Sequence, residues 1–321
     1  LERLAGEYLP LTFSRRHGDP SRPWNLFAIE IKDAHGQKVL SYQGNWRDIF
    51  QNWEALTLSF PGNVEGMVFR FLFGSTAVGY NPYRVTRDGI EWEVPEPAIP
   101  WSNIGYWGDH QIVYLLKLLE LSASYHPGAL EELLNHDVFV SVNVPYRIKP
   151  YEELLADPRH TIEFDTALDQ ALKERMGAVG SDGYLWRTGD DLYRVNLCEK
   201  LLVPVLAKLS SFIPEAGIWM NTQRPEWNDA NNALVGYGVS MVTLCYLRRY
   251  LAFAQRLFAR LQDEGAPVSE AVVRHLEQAA HVLRKNAGLL SGPFSDRDRR
   301  RVLDGLGEAG GEYRRVLYGE G

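Results

Sequence analysis

The segment from Gln223 to Asn232 holds the densest group of chemically active side chains in the sequence. It reads Gln-Arg-Pro-Glu-Trp-Asn-Asp-Ala-Asn-Asn and lies between two long apolar segments, which predicts a loop between helices. Amides, carboxylates and an indole suit a sugar, because its hydroxyls take hydrogen bonds and its CH face stacks on the ring. The alternative is a polar turn, since Asn and Asp are common in turns for purely local reasons.

A second polar and aromatic cluster extends from Gly44 to Glu54 and leads into an apolar stretch. Arg47 and Asp48 are candidates for binding the ring hydroxyls of a sugar, or form an ion pair where a helix starts. Trp46 and Trp53 are candidates for stacking platforms, with burial in the core as the alternative.

A third cluster, Tyr106 to His110, opens a strongly apolar helix predicted over residues 112–121. Asp109 is placed to cap the start of that helix, and sugar binding is its alternative role. Trp107 is a further candidate for stacking, whereas His110 is expected to be structural.

The composition excludes some classes of function. The 321 residues carry a net charge of -7 without a basic stripe along which a phosphate backbone could run, which argues against nucleic acid. No apolar run reaches the roughly 18 to 20 residues that span a bilayer, so no membrane partner is expected. The oligomeric state and the compartment stay open, with the cytoplasm favoured. Because the sequence opens at Leu1 instead of Met, it is consistent with a piece of a longer protein.

The elements that must position these clusters are mostly helices. The pattern predicts an all-α fold with a short β-hairpin over residues 27–43. This hairpin belongs to an irregular N-terminal segment, 1–43, which precedes a helical domain, 44–321. Helices are predicted over residues 165–176, 192–209, 239–261 and 269–283, and the charged segment 296–316 is predicted to be helical at least in part. Ser269 can cap the fourth of these helices, and Pro204 is expected to kink or split the second. Cys198 and Cys245 lie in apolar helical patterns and are predicted to be buried free thiols, which gives neither a disulfide nor a metal site.

The three clusters, in this order, resemble the six-hairpin or (α/α)6-barrel glycosidases, in particular the disaccharide phosphorylases of the cellobiose phosphorylase type, glycoside hydrolase family 94. Pro225 to Asn232 is similar to the segment that carries the family's general acid, and Asp229 falls on the acid's position. Gly44 to Asn52 is similar to its upstream sugar-holding segment, and Gly108 to His110 resembles a further loop.

The sequence also departs from the family. Glu226 and Asn52 stand where the family has aspartates, its later phosphate-binding segment is not found, and the helices are fewer than the twelve of a closed barrel. The likeness therefore predicts a helical barrel or toroid that is either incomplete within this sequence or a diverged member of the family.

The resemblance implies an inverting enzyme that cleaves a glucoside-like bond in an oligosaccharide or polysaccharide. Asp229 would be the catalytic acid, with capping of the next helix as its alternative role, and Glu226 would belong to a subsite. No cofactor or metal is expected; inorganic phosphate would be the co-substrate of a phosphorylase and water that of a hydrolase. A different class stays open, namely a non-catalytic glycan-binding or assembly module of a larger protein. The implied substrate-binding residues are Arg47, Asp48, Trp46, Asp109, Glu226, Trp227, Asn228 and Trp107.

Overall fold

The computed structural model describes residues 34–35, 44–81, 84–86, 89–92, 111–221 and 236–319. Of the hairpin predicted over residues 27–43, only the exposed turn at Ala34 and His35 belongs to this part. The boundary predicted after residue 43 therefore stays a prediction.

The described part is mainly helical, which confirms the predicted class in its coarse form. Short 3₁₀ helices of three to six residues lie at Pro61–Asn63, Glu131–Leu133, Gly180–Tyr184, Ala259–Glu264 and Ala287–Ser291. The α-helices of this part are α1 Trp46–Thr57, α2 Val64–Gly74, α3 Gln111–Tyr125, α4 Tyr151–Ala156, α5 Thr166–Val179, α6 Leu197–Leu209, α7 Met241–Phe258, α8 Glu270–Lys285 and α9 Asp296–Tyr318.

Short antiparallel strands connect the helices, a feature that the all-α prediction lacked. Each strand is two or three residues long, too short for an alternating pattern to be recognised in the sequence. Three-stranded sheets have the orders β1-β2-β3 and β10-β9-β8, and the remaining pairs are β4-β5 and β6-β7. The strands are β1 Gly44–Asn45, β2 Arg84–Thr86, β3 Gly89–Glu91, β4 Tyr146–Ile148, β5 Ile162–Phe164, β6 Arg187–Thr188, β7 Asp191–Leu192, β8 Phe212–Ile213, β9 Gly217–Trp219 and β10 Val239–Ser240.

Helices α1, α2 and α3 pack side by side, with α2 running opposite to the other two. Trp46, the first residue of α1, contacts the Phe71 ring near the end of α2, at 5.2 Å between ring centroids. Glu65, in the first turn of α2, accepts a hydrogen bond of 2.6 Å from the Ser122 hydroxyl near the end of α3. The helices α1 and α3 therefore begin at the same end of the bundle.

Helices α6, α8 and α9 form a second packed group with its own apolar cluster, which includes Leu206, Val272 and Leu306. α9 begins with a reciprocal capping box between Ser295 and Asp298, as expected for a stable helix start. The predicted helix over residues 296–316 is thus confirmed.

The basic run at the start of α9 lies at the surface, where its arginines form ion pairs. Arg299 pairs with Glu215 at 2.6 Å, Arg300 with Asp304 at 2.6 Å and Arg301 with Asp298 at 2.8 Å. Exposed pairs of this kind contribute little to stability, about 0–1 kcal/mol each.

Helix boundaries differ from the prediction where tertiary contacts intervene. α6 begins at Leu197 instead of 192, because Asp191 and Leu192 pair with β6 and Asn196 caps the helix by accepting from the Glu199 amide. The helix runs through Pro204 without being split. Asp165, predicted as the first residue of a helix, caps α5 by accepting from the Leu168 amide at 2.9 Å.

Of the two cysteines, Cys198 is buried as predicted and Cys245 is exposed, which corrects the second expectation. The apolar surface of α7 is wider than the part that the described neighbours bury. Cys245 therefore lies on an exposed face of the helix, together with Met241 and Val242. Burial raises the pKa of the Cys198 thiol to about 11, which keeps it protonated and unreactive. In the described ranges, no helix has the length and apolar character that crossing a bilayer requires.

Candidate functional site

Most of the predicted site residues lie outside the described residues. Residues 222–235 and 93–110 are outside that part, so Asp229, Glu226, Trp227, Asn228, Trp107 and Asp109 have no described position. Arg47 and Asp48 lie in the first turn of α1, where the backbone alone is described. Their roles remain predictions.

Trp46 and Trp53 lie in the core, with 3% and 2% of their surface exposed. The Trp46 ring lies 4.7 Å from the Phe50 ring, and Phe50 lies 5.0 Å from Trp53 in an edge-to-face contact. These are positions of core residues, and the stacking role predicted for Trp46 gains no support from them. The indole N–H of Trp46 is buried and has no hydrogen-bond partner among the described residues.

The geometry relates two of the three clusters through their helices. α1 carries the 44–54 cluster, and Gln111, the residue after the third cluster, begins α3 at the same end of the bundle. Lys117 of α3 and Glu54 of α1 form a 3.0 Å ion pair that links the two helices along their length.

The flanks of the 222–235 segment are held close together. The Gly236 amide donates to the Met220 carbonyl at 2.7 Å, and the Met220 amide donates to the Gly238 carbonyl at 3.0 Å. Gly236 has a φ of +83°, and a Cβ there would lie 2.6 Å from the Pro158 carbonyl oxygen, so the position requires glycine. The segment therefore leaves and rejoins the fold at one place, just before α7.

A cleft of about 460 Å³ lies along one face of α2. Gly66, Phe69, Arg70, Phe73 and Gly74 form that face at helical spacing. Across from it lie Ser181, Asp182, Tyr184, Leu185, Leu192 and Arg194, with Trp53, Ile90 and Val140 completing the wall. The volume is within the roughly 300–1,000 Å³ of small-molecule sites.

The cleft combines aromatic rings with charged groups of both signs. Phe69 is stacked on Phe139 at 4.8 Å between centroids, which fixes its ring as part of the wall. Arg194 is exposed on the rim and Asp182 supplies a carboxylate. Such a lining offers donors, an acceptor and apolar faces, the combination that a sugar ring requires.

A second, smaller cavity of about 140 Å³ lies against α6. Lys200 and Glu199 lie in its wall, both almost fully buried at 4% and 8% exposed. Tyr193, 39% exposed, and the exposed Thr188 line the mouth. The cavity is therefore connected to solvent at one side and reaches a buried amine at the other.

The Lys200 amine is held by neutral oxygen atoms from two other segments. Its Nζ donates to the Val140 carbonyl at 2.9 Å, to the Ser141 hydroxyl at 3.0 Å and to the Ser75 carbonyl at 3.4 Å. Gly79, with φ of +86°, lets the segment that contains Ser75 pack directly on α6, because a Cβ there would lie 2.8 Å from the Val203 carbonyl oxygen. Burial lowers the pKa of Lys200 to about 7, against a smaller opposing effect of the Glu199 charge.

Glu199 links α6 to the start of α8. Its carboxylate accepts from the Ser269 amide at 2.7 Å and from the Ser269 hydroxyl at 2.9 Å. Ser269 was predicted to cap α8, and it does occupy the N-cap position, but its hydroxyl bonds Glu199 instead of the helix. Both carboxylate oxygens of Glu199 thus accept hydrogen bonds from Ser269 and not from the Lys200 amine.

This cavity was not predicted from the sequence. Glu199 and Lys200 stand in a run that reads as an ordinary amphipathic helix, and the oxygen atoms that hold Lys200 come from positions 75, 140 and 141. The one available signal was a lysine within an otherwise apolar helix face. Among the described residues, no group of three or more His, Cys, Asp or Glu side chains is placed to hold a metal ion.

The chain matches no family model, and no curated protein is significantly similar to it. Function must therefore be inferred from the residues and geometry of this chain itself.

Proposed function

We propose that this chain is part or all of a helical toroid that cleaves a glucoside-like glycosidic bond with inversion, and that Asp229 donates the proton. The observation that carries the proposal is the ordered set of three polar and aromatic clusters, at residues 44–54, 106–110 and 223–232. The parallel arrangement of α1 and α3 supports it. α1 carries the 44–54 cluster, α3 directly follows the 106–110 cluster, and both helices start at the same end of the bundle.

The cleft along α2 supports a sugar as the ligand. It lies beside the α1–α2 hairpin, and Gly74 of its wall packs so closely on Trp46 that a Cβ would lie 2.4 Å from the indole ring. Phe69 and Phe73 offer apolar ring faces, while Arg194 and Asp182 can bond hydroxyls. The proposed substrate is therefore an oligosaccharide whose sugar units occupy this cleft.

The chemistry requires Asp229 to protonate the oxygen of the leaving group while a nucleophile attacks the opposite face of the sugar. If the nucleophile is water, a second carboxylate about 6.5–9.5 Å from Asp229 must activate it. If the nucleophile is phosphate, no base is required, because phosphate is already an anion. Trp227 and Asn228, its neighbours in sequence, would keep Asp229 protonated by limiting its access to water.

The test is an activity assay of the full chain on β-linked gluco-oligosaccharides, with and without inorganic phosphate. Release of glucose identifies a hydrolase, and release of glucose 1-phosphate identifies a phosphorylase. Asp229→Asn should abolish turnover while circular dichroism and the melting temperature stay unchanged. Glu226→Gln is the matched control three residues away, and we expect it to weaken turnover without abolishing it. Retained turnover in Asp229→Asn would exclude the acid role.

The same assay examines the cleft. Arg194 is exposed and makes no hydrogen bond or ion pair to another described residue, so Arg194→Ala should leave the stability unchanged. If sugars occupy the cleft, KM should rise about tenfold, equivalent to roughly 1.4 kcal/mol of binding. An unchanged KM would place the substrate elsewhere.

The second candidate is a glycan-binding module without catalysis. The observation that favours it is that Asp182 is the one carboxylate of the cleft wall within the described residues, whereas an inverting hydrolase needs two. Binding of the oligosaccharide without release of either product, unchanged by Asp229→Asn, would establish this candidate instead.

A further inference from the structure

The cavity against α6 presents a buried amine that the proposed glycosidic chemistry does not use. Lys200 lines the cavity together with Ser141, and the opposite walls include the rings of Trp186 and Tyr313. Tyr313 is fixed in place, because its hydroxyl donates to the Ala77 carbonyl at 2.8 Å. The cavity is therefore a preformed, mostly apolar space with one nitrogen nucleophile at its end.

The surroundings of the amine favour its neutral form. All three of its hydrogen-bond partners are uncharged, and no described carboxylate lies within ion-pair distance of it. Glu199, the nearest acid in the wall, directs both oxygens to Ser269. A buried ammonium without a counter-ion is costly, so the proton is released at a lower pH than from an exposed lysine.

We propose that Lys200 is a reactive amine that forms an imine with a small, uncharged aldehyde or ketone bound in this cavity. The activity is distinct from glycosidic cleavage and does not depend on it. A desolvated lysine in an apolar pocket is the environment in which an amine becomes a nucleophile at neutral pH.

The hydrogen bonds around Lys200 fit the steps of this reaction. In the neutral amine, two N–H groups donate to the Val140 and Ser75 carbonyls, and the lone pair faces the Ser141 hydroxyl, which lies 3.0 Å away. When the carbonyl compound binds, the Ser141 hydroxyl transfers its hydrogen bond from the nitrogen to the carbonyl oxygen, which frees the lone pair. The lone pair attacks the carbonyl carbon and forms the C–N bond, and the π pair of the C=O bond moves to the oxygen. Two protons from the nitrogen then leave with that oxygen as water. Amine and aldehyde thus give imine and water, with no oxidant or reductant.

The cavity also limits the class of carbonyl compound. Its volume of about 140 Å³ and its aromatic walls admit a short aliphatic or single-ring body. Glu199 places a negative charge in the same wall and disfavours carbonyl compounds that carry a carboxylate. We therefore expect propanal to react faster than glyoxylate, although glyoxylate is of similar size.

The test is competitive labelling of the full wild-type chain with propanal at pH 7. Sodium cyanoborohydride reduces each imine to a stable amine, and peptide mass mapping gives the rate at each lysine. About half of an amine with a pKa of about 7 is neutral at pH 7, whereas an ordinary lysine is neutral in roughly one part in 3,000. The restricted access of propanal to the cavity offsets part of this advantage. We expect Lys200 to be labelled at least about tenfold faster than Lys173, whose side chain is 54% exposed.

Lys208 is the matched control, because it lies on the same helix and is also buried, at 5% exposed. Its amine lies 4.6 Å from the centre of the Tyr80 ring, which stabilises the ammonium form. We expect little labelling at Lys208 under conditions that label Lys200. Equal labelling of Lys200 and Lys173, or labelling of Lys200 only after denaturation, would overturn the proposal.

Two variants separate this proposal from the glycosidase proposal and from general misfolding. Asp229→Asn should be labelled at Lys200 as fast as the wild type, since its chemistry lies in another segment. Ser141→Ala should slow labelling at Lys200 about tenfold and leave Lys173 unchanged, whereas an unchanged rate at Lys200 would refute the part given to Ser141.

Discussion

The helices α1–α3 and the helices α6, α8 and α9 bury different kinds of side chain. The first group packs rings against rings, with Trp46, Phe50 and Phe71 at centroid separations of 4.7 to 5.2 Å. The second group buries ionisable side chains within or beside its apolar cluster, among them Lys200 and His275. Both groups are close-packed, but the second buries an amine whose pKa is lowered to about 7 and an imidazole whose pKa is lowered to about 4.

This difference shows where burial stabilises the fold and where it prepares chemistry. In the first group the buried acid Glu65 is compensated, because Ser122 donates to it and the His126 ring lies 2.9 Å away. In the second group Lys200 has neutral partners, and one ring nitrogen of His275, Nδ1, has none within the described residues. Buried groups left without full compensation cost stability and have shifted pKa values, which is the pattern of functional positions.

The largest expected effect concerns the packing role of Trp46 in the first group. Trp46→Ala should lower the free energy of unfolding by about 3–5 kcal/mol, because it removes a buried ring from an aromatic cluster. Chemical denaturation at pH 7 measures the loss. Trp46→Phe keeps a ring and removes an indole N–H that has no partner among the described residues, so its loss should be clearly smaller. A loss below about 1 kcal/mol in the alanine variant would show that the ring is not a core element and would restore the stacking role.

The next largest effect is a dependence of stability on pH, and it concerns His275 in the second group. The His275 side chain is 2% exposed. Its ring stacks on Tyr313 and its Nε2 lies 3.3 Å from the Ser210 hydroxyl. Burial, with a further contribution from the charge of Arg314, lowers the pKa of His275 to about 4. The unfolded chain binds this proton at about pH 6.5, so the stability that neutral His275 provides is present above pH 6.5 and is lost as the pH falls toward 4.

That loss should amount to about 3 kcal/mol between pH 6.5 and 4. His275→Phe preserves the ring stacking, and Ser210 keeps its bond to the Leu206 carbonyl at 2.9 Å, so the variant should fold. Denaturation at a series of pH values should show a shallower loss on acidification in the variant than in the wild type. Identical slopes would mean that other groups account for the acid sensitivity.

The contrast between the groups also marks what the sequence could predict. The core of α3 was predictable because its apolar residues surround the helix, and the helix indeed extends over Gln111–Tyr125. The start of α6 was not predictable, because it is set by the pairing of β7 with β6 and by the Asn196 cap, and both exist only in the folded chain. Periodicity describes one element at a time and does not record which distant segments approach it.

The candidate sites follow the same rule. The cluster around Asp229 was recognised from residues adjacent in sequence, and its geometry lies outside the described residues. The Lys200 cavity could not be recognised, because its oxygen atoms come from Ser75, Val140 and Ser141. A site assembled from separate segments has no local signature, whatever chemistry it performs.

A smaller effect tests how tightly the second group is packed. Gly307 of α9 faces the Tyr151 ring, and a Cβ there would lie 2.1 Å from a ring carbon. The ring cannot move freely, since its hydroxyl donates to the Asp304 carboxylate at 2.7 Å. Gly307→Ala should therefore cost about 1–3 kcal/mol of unfolding free energy, despite the better helix propensity of alanine. Thermal and chemical denaturation measure it, and a stabilised variant would show that α9 can shift away from Tyr151.

The smallest effect, and the matched control, is Gly311→Ala one turn further along α9. A Cβ there would have its nearest neighbours at 3.7 to 3.9 Å, which is ordinary van der Waals contact. Alanine loses less backbone entropy than glycine on entering a helix, so this variant should be more stable by about 0.5–1 kcal/mol. Because both substitutions make the same chemical change on one helix, opposite signs would isolate the contact with Tyr151 as the cause. If Gly311→Ala were as destabilising as Gly307→Ala, α9 would resist substitution for a reason other than that ring.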